Sequence, residues 1–185
     1  MRYLADFDEI HAMAQNMLLE YSEDEIVENI LNILRSAYIR GAKKTCTDLD
    51  WEYEDWLLFG DWDKEVILKE IKGKNVVDRI REHVRNLDAY LLAVVIDTEY
   101  HRDFNTGQDD MAETVEIQSG RLTKKVWHTQ LDEKVRDTHA YLEGMEADRD
   151  ADFYTYDGDH ASSPGNFSLP ENSINCRCYL EYKWK

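Results

Sequence analysis

NCRCYLEYKW, at residues 175–184, predicts a β-strand that closes a sheet at the C-terminus. In an extended strand, successive side chains alternate between the two faces. One face of this strand therefore carries Cys176, Cys178, Leu180, Tyr182 and Trp184. Both sulfur atoms are expected to point toward the apolar layer of the protein.

A short polar helix is predicted upstream of this strand, over residues 130–142. Gly144 follows its end, where a left-handed C-terminal residue is expected. Asp132, Arg136 and His139 are spaced i, i+4, i+7, so that one face of the helix carries an acid, a guanidinium and an imidazole. If this helix packs on the C-terminal strand, His139 lies beside the paired cysteines.

Helical periodicity dominates the N-terminal half of the chain. Apolar residues recur at helical spacing over residues 6–20. Ser22 and Glu25 then form a capping box that begins a second helix, which is predicted to end at Gly41. Residues 48–63 interleave acids with aromatic side chains and predict an amphipathic helix whose rings fill the core. The alternative for this segment is an exposed aromatic docking patch.

Two further helices are predicted before residue 100. A short helix covers residues 66–73. Asn75 can cap the next one, a long helix in which apolar residues recur at steps of three and four from Val77 to Thr98. Because this spacing is close to a heptad repeat, the long helix can pair with another chain or pack on the preceding helices. We favour packing within the chain.

The hydrophobic period changes to two at Glu113. Val115 and Ile117 alternate with polar neighbours, and Ser119-Gly120 is typical of a hairpin turn. A hairpin is therefore predicted between residue 113 and Trp127.

The remaining patterns define the predicted fold. Residues 153–156 predict a strand, and a loop rich in Ser, Gly, Pro and Asn follows over residues 158–173. The sequence predicts an α+β protein with two parts. A helical region with one long helix occupies residues 1–104. A domain with a small, mainly antiparallel sheet and one crossing helix occupies residues 105–185.

Charge and composition exclude several classes of function. The 185 residues include 22 Lys and Arg against 39 Asp and Glu, which gives a net charge of −17. Such a field repels phosphate backbones, so nucleic acid is not expected as the main ligand. The longest apolar run, residues 90–96, is too short to span a bilayer, so no membrane partner is expected. Three cysteines without an apolar leader predict a soluble, cytoplasmic protein.

Several motifs follow one another over about ninety residues, and their order is more specific than any single motif. They are Thr98-Glu99, Lys125-Val126-Trp127, Asp132-x-x-x-Arg136-x-x-His139-x-x-x-x-Gly144, the strand at Phe153, Pro164, Pro170 and Asn175-Cys176-Arg177-Cys178. In this order they resemble the phage Mu F-like head morphogenesis family, the minor head proteins of tailed phages. The resemblance covers roughly the second half of the chain.

The resemblance implies a low-copy component of the procapsid or virion that docks on the phage portal or inner capsid protein. Such a protein is present in the host cytoplasm during assembly and afterwards in the virion head. The aromatic segment and the loop 158–173 are the candidate contact surfaces. Two alternative functions are a metal-dependent hydrolase or nuclease that uses the Cys and His residues, and an acidic protein that masks a basic partner. We assign no catalytic residue.

Zinc is the candidate cofactor. His139, Cys176 and Cys178 can supply three of the four ligands that the ion prefers. The sequence offers three candidates for the fourth ligand, namely His160, His128 and Asp132. On a regular strand, neighbouring side chains of one face hold their sulfurs too far apart for one ion unless a turn or bulge brings them closer. The alternative is a pair of buried free cysteines.

Six residues are predicted to form a structural centre around the paired cysteines. They are Trp127, Asp132, Arg136, His139, Asn175 and Arg177. Asp132 and Arg136 most simply form an ion pair on the helix surface. If Arg136 is buried, its donors need Asp132, Asn175 or a backbone carbonyl as acceptors. Trp127 is predicted to be a core ring that pins the hairpin to the helix.

Overall fold

The computed structural model describes residues 6–54, Ile67 and residues 73–185. In chain order its elements are α1 (Phe7–Glu20), α2 (Glu23–Asp48), α3 (Val76–Arg85), α4 (Ala89–Ser119), β1 (Thr123–His128), α5 (Asp137–Ala140), β2 (Glu146–Asp148), β3 (Phe153–Tyr154), β4 (His160–Ala161), α6 (Pro170–Ser173) and β5 (Tyr179–Trp184). The four long helices come first, and small antiparallel sheets follow. The predicted α+β class is therefore confirmed.

The main sheet has the strand order β2-β1-β5, and both of its strand pairs are antiparallel. The register of β1 and β5 places Trp127 opposite Leu180 and Lys125 opposite Tyr182. β3 and β4 form a separate antiparallel pair, so the strand predicted over 153–156 is present but shorter. The first strand therefore pairs with the last one, and the predicted hairpin before Trp127 is wrong.

The first two helices begin where the sequence predicts. The Ser22 side chain caps α2, and the Glu25 carboxylate accepts a hydrogen bond from the Ser22 backbone N–H at 2.8 Å, which completes the capping box. The end of α2 differs from the prediction, because the helix continues past Gly41 to Asp48. Gly41 lies inside the helix, at a buried contact with another helix, and does not cap α2.

α2 and α4 touch backbone to backbone at two glycines. A Cβ atom on Gly41 would lie 1.9 Å from the carbonyl oxygen of Phe104. A Cβ atom on Gly107 would lie 2.0 Å from the carbonyl oxygen of Tyr38. Both distances are far below any real carbon–oxygen contact, so only glycine fits at either position.

The helix predicted from Asn75 to Thr98 is in fact two helices. Asn75 caps α3 as expected, but that helix ends after three turns. Leu87 then has a φ angle of 53°, and Asp88 accepts a hydrogen bond from the N–H of Leu91 at 2.9 Å to begin α4. Because the apolar spacing continues across this break, the pattern alone did not reveal it.

α4 is 31 residues long and runs through the segment that was predicted as a strand. Val115 is fully buried whereas Ile117 is 77% exposed, so the two do not share a face as they would in a strand. Val115 instead continues the helical spacing of Met111. Gly120, at a φ angle of 68°, ends α4 as its left-handed cap and is not a hairpin turn. The proposed domain division at residue 105 falls inside this helix.

Part of the N-terminal prediction lies outside the described residues. This applies to most of the aromatic segment 48–63 and nearly all of the helix predicted over 66–73. Within the described part, residues 51–54 follow α2 without regular structure. Trp51 packs edge-on against Trp184, with ring centroids 6.5 Å apart, so at least this ring contributes to the core.

Two apolar cores lie along α4. The first packs α1, α2 and α3 against the N-terminal part of α4 and contains Ile30 and Ile96. The second lies between the C-terminal part of α4 and the sheets and contains Met111, Trp127 and Leu180. α4 therefore belongs to both cores. In the part of the chain that the structure describes, no helix has the length and apolar character needed to cross a bilayer.

A row of polar side chains on α4 faces the C-terminal part of the chain. This polar stripe consists of Thr98, Arg102, Asn105, Gln108 and Asp109. The Asn175 N–H donates to Thr98 Oγ1 at 3.3 Å, and Arg102 Nε donates to the Gly165 carbonyl at 3.0 Å. Asn105 Nδ2 donates to the Cys178 carbonyl at 3.3 Å. The stripe thus satisfies main-chain groups in segments that have no strand partner.

The outer edge of β5 is paired with side chains rather than with another strand. The Gln108 amide donates to the Leu180 carbonyl at 2.6 Å and accepts from the Leu180 N–H at 3.3 Å. Two residues later, the Tyr182 N–H donates to the Asp48 carboxylate at 3.2 Å. Two helices therefore occupy the hydrogen-bonding positions of a neighbouring strand.

A buried carboxylate lies next to the polar stripe. Glu99 is 3% exposed and accepts hydrogen bonds from Arg102 at 2.6 Å and from Arg79 at 2.8 Å. Burial tends to raise the pKa of Glu99, but the charges and hydrogen bonds of the two guanidiniums outweigh it and lower that pKa. The ion pairs tie α3 to α4.

Asp159 organises the loop 158–173 from within. Its carboxylate accepts hydrogen bonds from Ser168 Oγ at 2.7 Å, from the Leu169 N–H at 3.1 Å and from Asn172 Nδ2 at 3.1 Å. Desolvation alone would raise the pKa of Asp159. The hydrogen bonds to its carboxylate outweigh this effect, and the pKa is lowered to about 2. The loop therefore has a defined conformation that is held by hydrogen bonds to one carboxylate.

The glycine contact predicts the effect of Gly107→Ala. In an open helix this change would stabilise the protein by about 1 kcal/mol. Here the added methyl group would overlap with the Tyr38 carbonyl, so we expect the free energy of unfolding to fall by about 1–3 kcal/mol. Chemical denaturation measures this change. Asn32→Ala, on the exposed side of α2, is the control and should stay within about 0.5 kcal/mol of the wild type. Stability of Gly107→Ala at or above the wild-type value would contradict the contact.

Asp159→Asn should lower the free energy of unfolding by about 1–3 kcal/mol at neutral pH, because the charged hydrogen bonds of the loop are lost. The folded pKa lies below the ordinary value of about 3.9, so the stabilisation is complete above that value and disappears as the pH falls toward the folded pKa of about 2. The difference between variant and wild type should therefore shrink in denaturation curves recorded from neutral to acidic pH. Asp150→Asn, at an exposed carboxylate, is the control. A difference that does not depend on pH would refute this role of the carboxylate.

Candidate metal centre

His139 lies on a much shorter helix than predicted. Only Asp137–Ala140 is helical, and the predicted helix over residues 130–142 is wrong. Leu131 has a φ angle of 54°, and the Asp132 side chain accepts from the Lys134 N–H at 3.0 Å, which forms a turn instead. Asp132, Arg136 and His139 therefore do not share one helix face.

The paired cysteines lie in a turn and not in the strand. β5 begins at Tyr179, after both cysteines, so the predicted start of the strand is wrong. Asn175 has a φ angle of 54°, and the Cys176 N–H donates to the Ser173 carbonyl at 3.3 Å. This is the kind of turn that can bring the side chains of residues i and i+2 together.

The structure brings His139, Cys176 and Cys178 into one buried cluster, which we call the Cys2His cluster. His139 Nδ1 lies 3.5 Å from Cys176 Sγ and 3.5 Å from Cys178 Sγ. The three ligand atoms all lie within 4.8 Å of one another. The three residues are between 1% and 4% exposed. All three cysteines of the chain are free thiols.

Aromatic rings hold the imidazole in place. The ring of Phe167 stacks on His139 with centroids 5.3 Å apart. Trp127, which is fully buried in β1, meets it edge-on at 5.7 Å and also packs on Phe153. The predicted position of Trp127 in the core agrees with this packing. The rings fix the direction in which Nδ1 points.

The two cysteines shift each other's pKa in opposite directions. A hydrogen bond from Cys178, followed by one from His139, holds the pKa of Cys176 well below its usual range. The neighbouring Cys176 raises the pKa of the Cys178 thiol. The two opposite shifts have one main cause, a direct hydrogen bond between the two cysteine side chains.

The other predicted members of the centre lie around the cluster but make different contacts from those expected. Asp132 forms a two-pronged ion pair with Arg177, at 2.7 and 2.8 Å, and not with Arg136. Arg136 donates instead to the carbonyl oxygen of Ile174. The Asn175 backbone N–H donates a hydrogen bond to Thr98 Oγ1 of the polar stripe.

The three candidates for a fourth ligand are engaged elsewhere. His128 lies between Glu143 at 3.1 Å and Glu181 at 2.9 Å. His160 bonds to Asp152 on the surface, and Asp132 is paired as described above. Among the described residues, three ligand atoms therefore converge on the cluster.

A small cleft reaches the cluster from the surface. Its lining includes His139 and Cys178 together with the cationic side chains of Lys134, Arg136 and Arg177. A positive rim of this kind favours negative charge on the sulfurs below it.

No structural role was predicted from the sequence for several residues that support this part of the fold. The polar stripe has a detectable signal, since Thr98, Arg102, Asn105 and Asp109 recur at steps of three and four on one helix. Lys125 is fully buried, and its Nζ donates to the Ser162 carbonyl at 2.7 Å. Burial lowers the pKa of Lys125. No local pattern distinguishes it from an exposed lysine.

Comparisons with known proteins give one relative and one family. The NAD(+)–arginine ADP-ribosyltransferase EFV of Enterococcus faecalis is 40% identical over 55 residues, which are 30% of this chain and 11% of that protein. This chain thus corresponds to a small part of the relative. No solved structure shows a significant match.

The family comparison covers most of the described structure. A family model described as phage Mu protein F like protein matches residues 66–181, from before α3 to the middle of β5. The matched region contains α4, the polar stripe and the whole Cys2His cluster. This chain belongs to the phage Mu protein F like family.

Proposed function

We propose that this chain is a minor head protein that docks on the portal or the inner capsid during assembly of a phage head. The observation that carries this proposal is the family match over residues 66–181. It supports a role in phage head morphogenesis, with partners among the capsid proteins and a final place in the virion head.

An exposed group of tyrosines is the best candidate for the docking surface. This tyrosine patch consists of Tyr141, Tyr154 and Tyr156, which are 54%, 62% and 63% exposed. The rings of Tyr141 and Tyr156 meet edge-on at 6.2 Å, and Tyr154 stacks on His160 at 5.2 Å. Tyrosines are enriched among the residues that dominate binding energy at protein interfaces.

The loop 158–173, which the sequence suggested as a contact surface, borders this patch. Its residues 163–165 and Phe167 are buried against the rest of the protein. Only its outer side, including residues 168–171, is exposed. The loop therefore supports the patch, and the tyrosines offer the larger contact area.

The charge of the chain defines the partner's chemistry. The net charge of −17 makes a basic partner surface favourable. Asp157, which is exposed and directly follows Tyr156, adds negative charge at the patch. We propose a portal or inner capsid protein that presents apolar pockets for the tyrosines with a basic rim around them.

A co-purification experiment tests this role. The full chain is co-expressed with the portal protein, and separately with the major capsid protein, of the same phage. We expect it to co-purify with one of them. Tyr154→Ala combined with Tyr156→Ala should weaken this binding at least about tenfold, because two interface anchors are removed. Tyr21→Ala, at a tyrosine that is 46% exposed on the helical half, should leave the binding unchanged.

Two outcomes would contradict the proposal. If the wild-type chain binds neither protein and is absent from assembled procapsids, the role in head assembly is wrong. If binding occurs but survives the loss of both tyrosines, the assignment of the docking surface is wrong.

A further inference from the structure

We propose that His139, Cys176 and Cys178 bind one zinc ion. The proposal goes beyond the role in head assembly and does not depend on it. It starts from the distances within the Cys2His cluster, where one ring nitrogen lies 3.5 Å from each of two sulfurs.

These distances fit a tetrahedral zinc site. Zinc binds imidazole nitrogen at about 2.0–2.1 Å and thiolate sulfur at about 2.3 Å, so the tetrahedral angle separates the two donor atoms by about 3.6 Å. Both nitrogen–sulfur distances agree with this value. Two of the three edges of the Cys2His cluster therefore have the length that zinc requires, and its two sulfurs lie within 4.8 Å of each other.

Hydrogen bonding alone accounts for only part of this arrangement. The Nδ1 atom of an imidazole has either one proton or one lone pair, and both lie in the ring plane. It can therefore form one good hydrogen bond, yet two sulfurs lie at the same distance from it. The other ring nitrogen, Nε2, is buried without a hydrogen-bond partner among the described residues. If Nε2 carries the proton, the lone pair of Nδ1 points toward both sulfurs and is available to a cation.

The backbone around the cysteines is held in advance of metal binding. The left-handed Asn175 turns the chain, and the Asn105 side chain binds the Cys178 carbonyl at 3.3 Å. The stacked ring of Phe167 fixes His139. Because these contacts do not involve a metal, the ligands are positioned before the ion arrives, which lowers the entropic cost of binding.

The donor set selects zinc. Two thiolates and an imidazole are soft and borderline ligands, whereas magnesium and calcium prefer carboxylate and carbonyl oxygens. The Asp132 carboxylate, one of the candidates for a fourth ligand, is already paired with Arg177. Two thiolates neutralise the charge of the ion, and their protons leave when it binds.

The cleft that leads to the cluster gives a fourth ligand access to the ion. Because the cleft is lined by both His139 and Cys178, a water molecule can complete the tetrahedron from that side. Zinc bound in this way links the turn at α5 to the turn before β5. The ion would thus hold together two segments that contain little regular structure.

Metal analysis of the full chain tests the proposal. The protein is produced without a histidine tag in zinc-containing medium, and zinc is measured by elemental analysis after desalting. We expect about one zinc per chain. Replacement by cobalt should give the intense near-ultraviolet absorption of thiolate–cobalt bonds. A strong chelator should lower the melting temperature of the wild type, because bound metal stabilises the folded state.

Matched variants locate the ion. Cys176→Ser and His139→Asn should lose most of the zinc and the thiolate–cobalt absorption. Cys46→Ser is the control, because Cys46 is equally buried, at 2% exposed, but lies outside the cluster. It should keep the zinc content of the wild type. Circular dichroism establishes that each variant is folded.

The proposal would be overturned by folded wild-type protein that retains no zinc after incubation with excess metal and shows no thiolate–cobalt absorption. This result needs no variant and is independent of any variant that fails to fold. Full zinc content in a folded Cys176→Ser protein would also refute it, because the ion would then be bound elsewhere. Neither result would affect binding to the portal or capsid protein.

Discussion

The second half of this protein depends on the hydrogen bonds between the polar stripe of α4 and the main chain of the C-terminal segments. The segments around Gly165 and Cys178 are irregular and buried, so their carbonyl groups have no strand partners. Arg102 and Asn105 supply the missing donors. An unpaired buried carbonyl costs free energy comparable to that of a lost hydrogen bond. Without these side chains the irregular segments would have no stable place in the core.

The polar stripe can form these hydrogen bonds only because α4 is held in a fixed position. The close backbone contact at Gly41 and Gly107 sets the distance and rotation of α4 relative to α2. The ion pairs of Glu99 with Arg79 and Arg102 add a second restraint in the interior. Buried ion pairs contribute little net stability, but a shift of α3 along α4 would take Arg79 away from the buried Glu99 carboxylate. The rotation of α4 in turn decides which side chains face the sheet.

How much the sequence predicted depends on whether a feature is local. The capping box of Ser22 and Glu25 involves residues three positions apart, so its pattern was sufficient to place the start of α2. The break at Leu87 was missed because apolar spacing continues across it. Val115 and Ile117 looked like a strand because two apolar residues at i and i+2 match a period of two, and so short a pattern does not exclude a helix in which only one of them is buried. Packing against the sheet resolves this ambiguity, and packing is not visible in a single sequence.

The same limit applies to the site. Sequence reasoning placed Cys176, Cys178 and His139 near one another, although it assumed a regular strand and a longer helix. In the structure the chain turns at Leu131 and Asn175, whose backbones are in the left-handed conformation. Because few non-glycine residues adopt this conformation, the sequence did not predict these turns. Asp132 was predicted to pair with Arg136 but pairs with Arg177. In the turn, Asp132 and Arg136 do not have the spacing that a helix would give them. Residue types thus identified the cluster, while the turns that build it came only from the structure.

The side-chain pairing along β5 has a consequence for contacts between copies of the chain. A terminal strand with free amide and carbonyl groups is a template on which identical chains can polymerise. In this protein Gln108 and Asp48 occupy the positions that a strand from a second copy would need at Leu180 and Tyr182. On its β5 side the sheet therefore cannot be extended by a strand from a second copy of the chain.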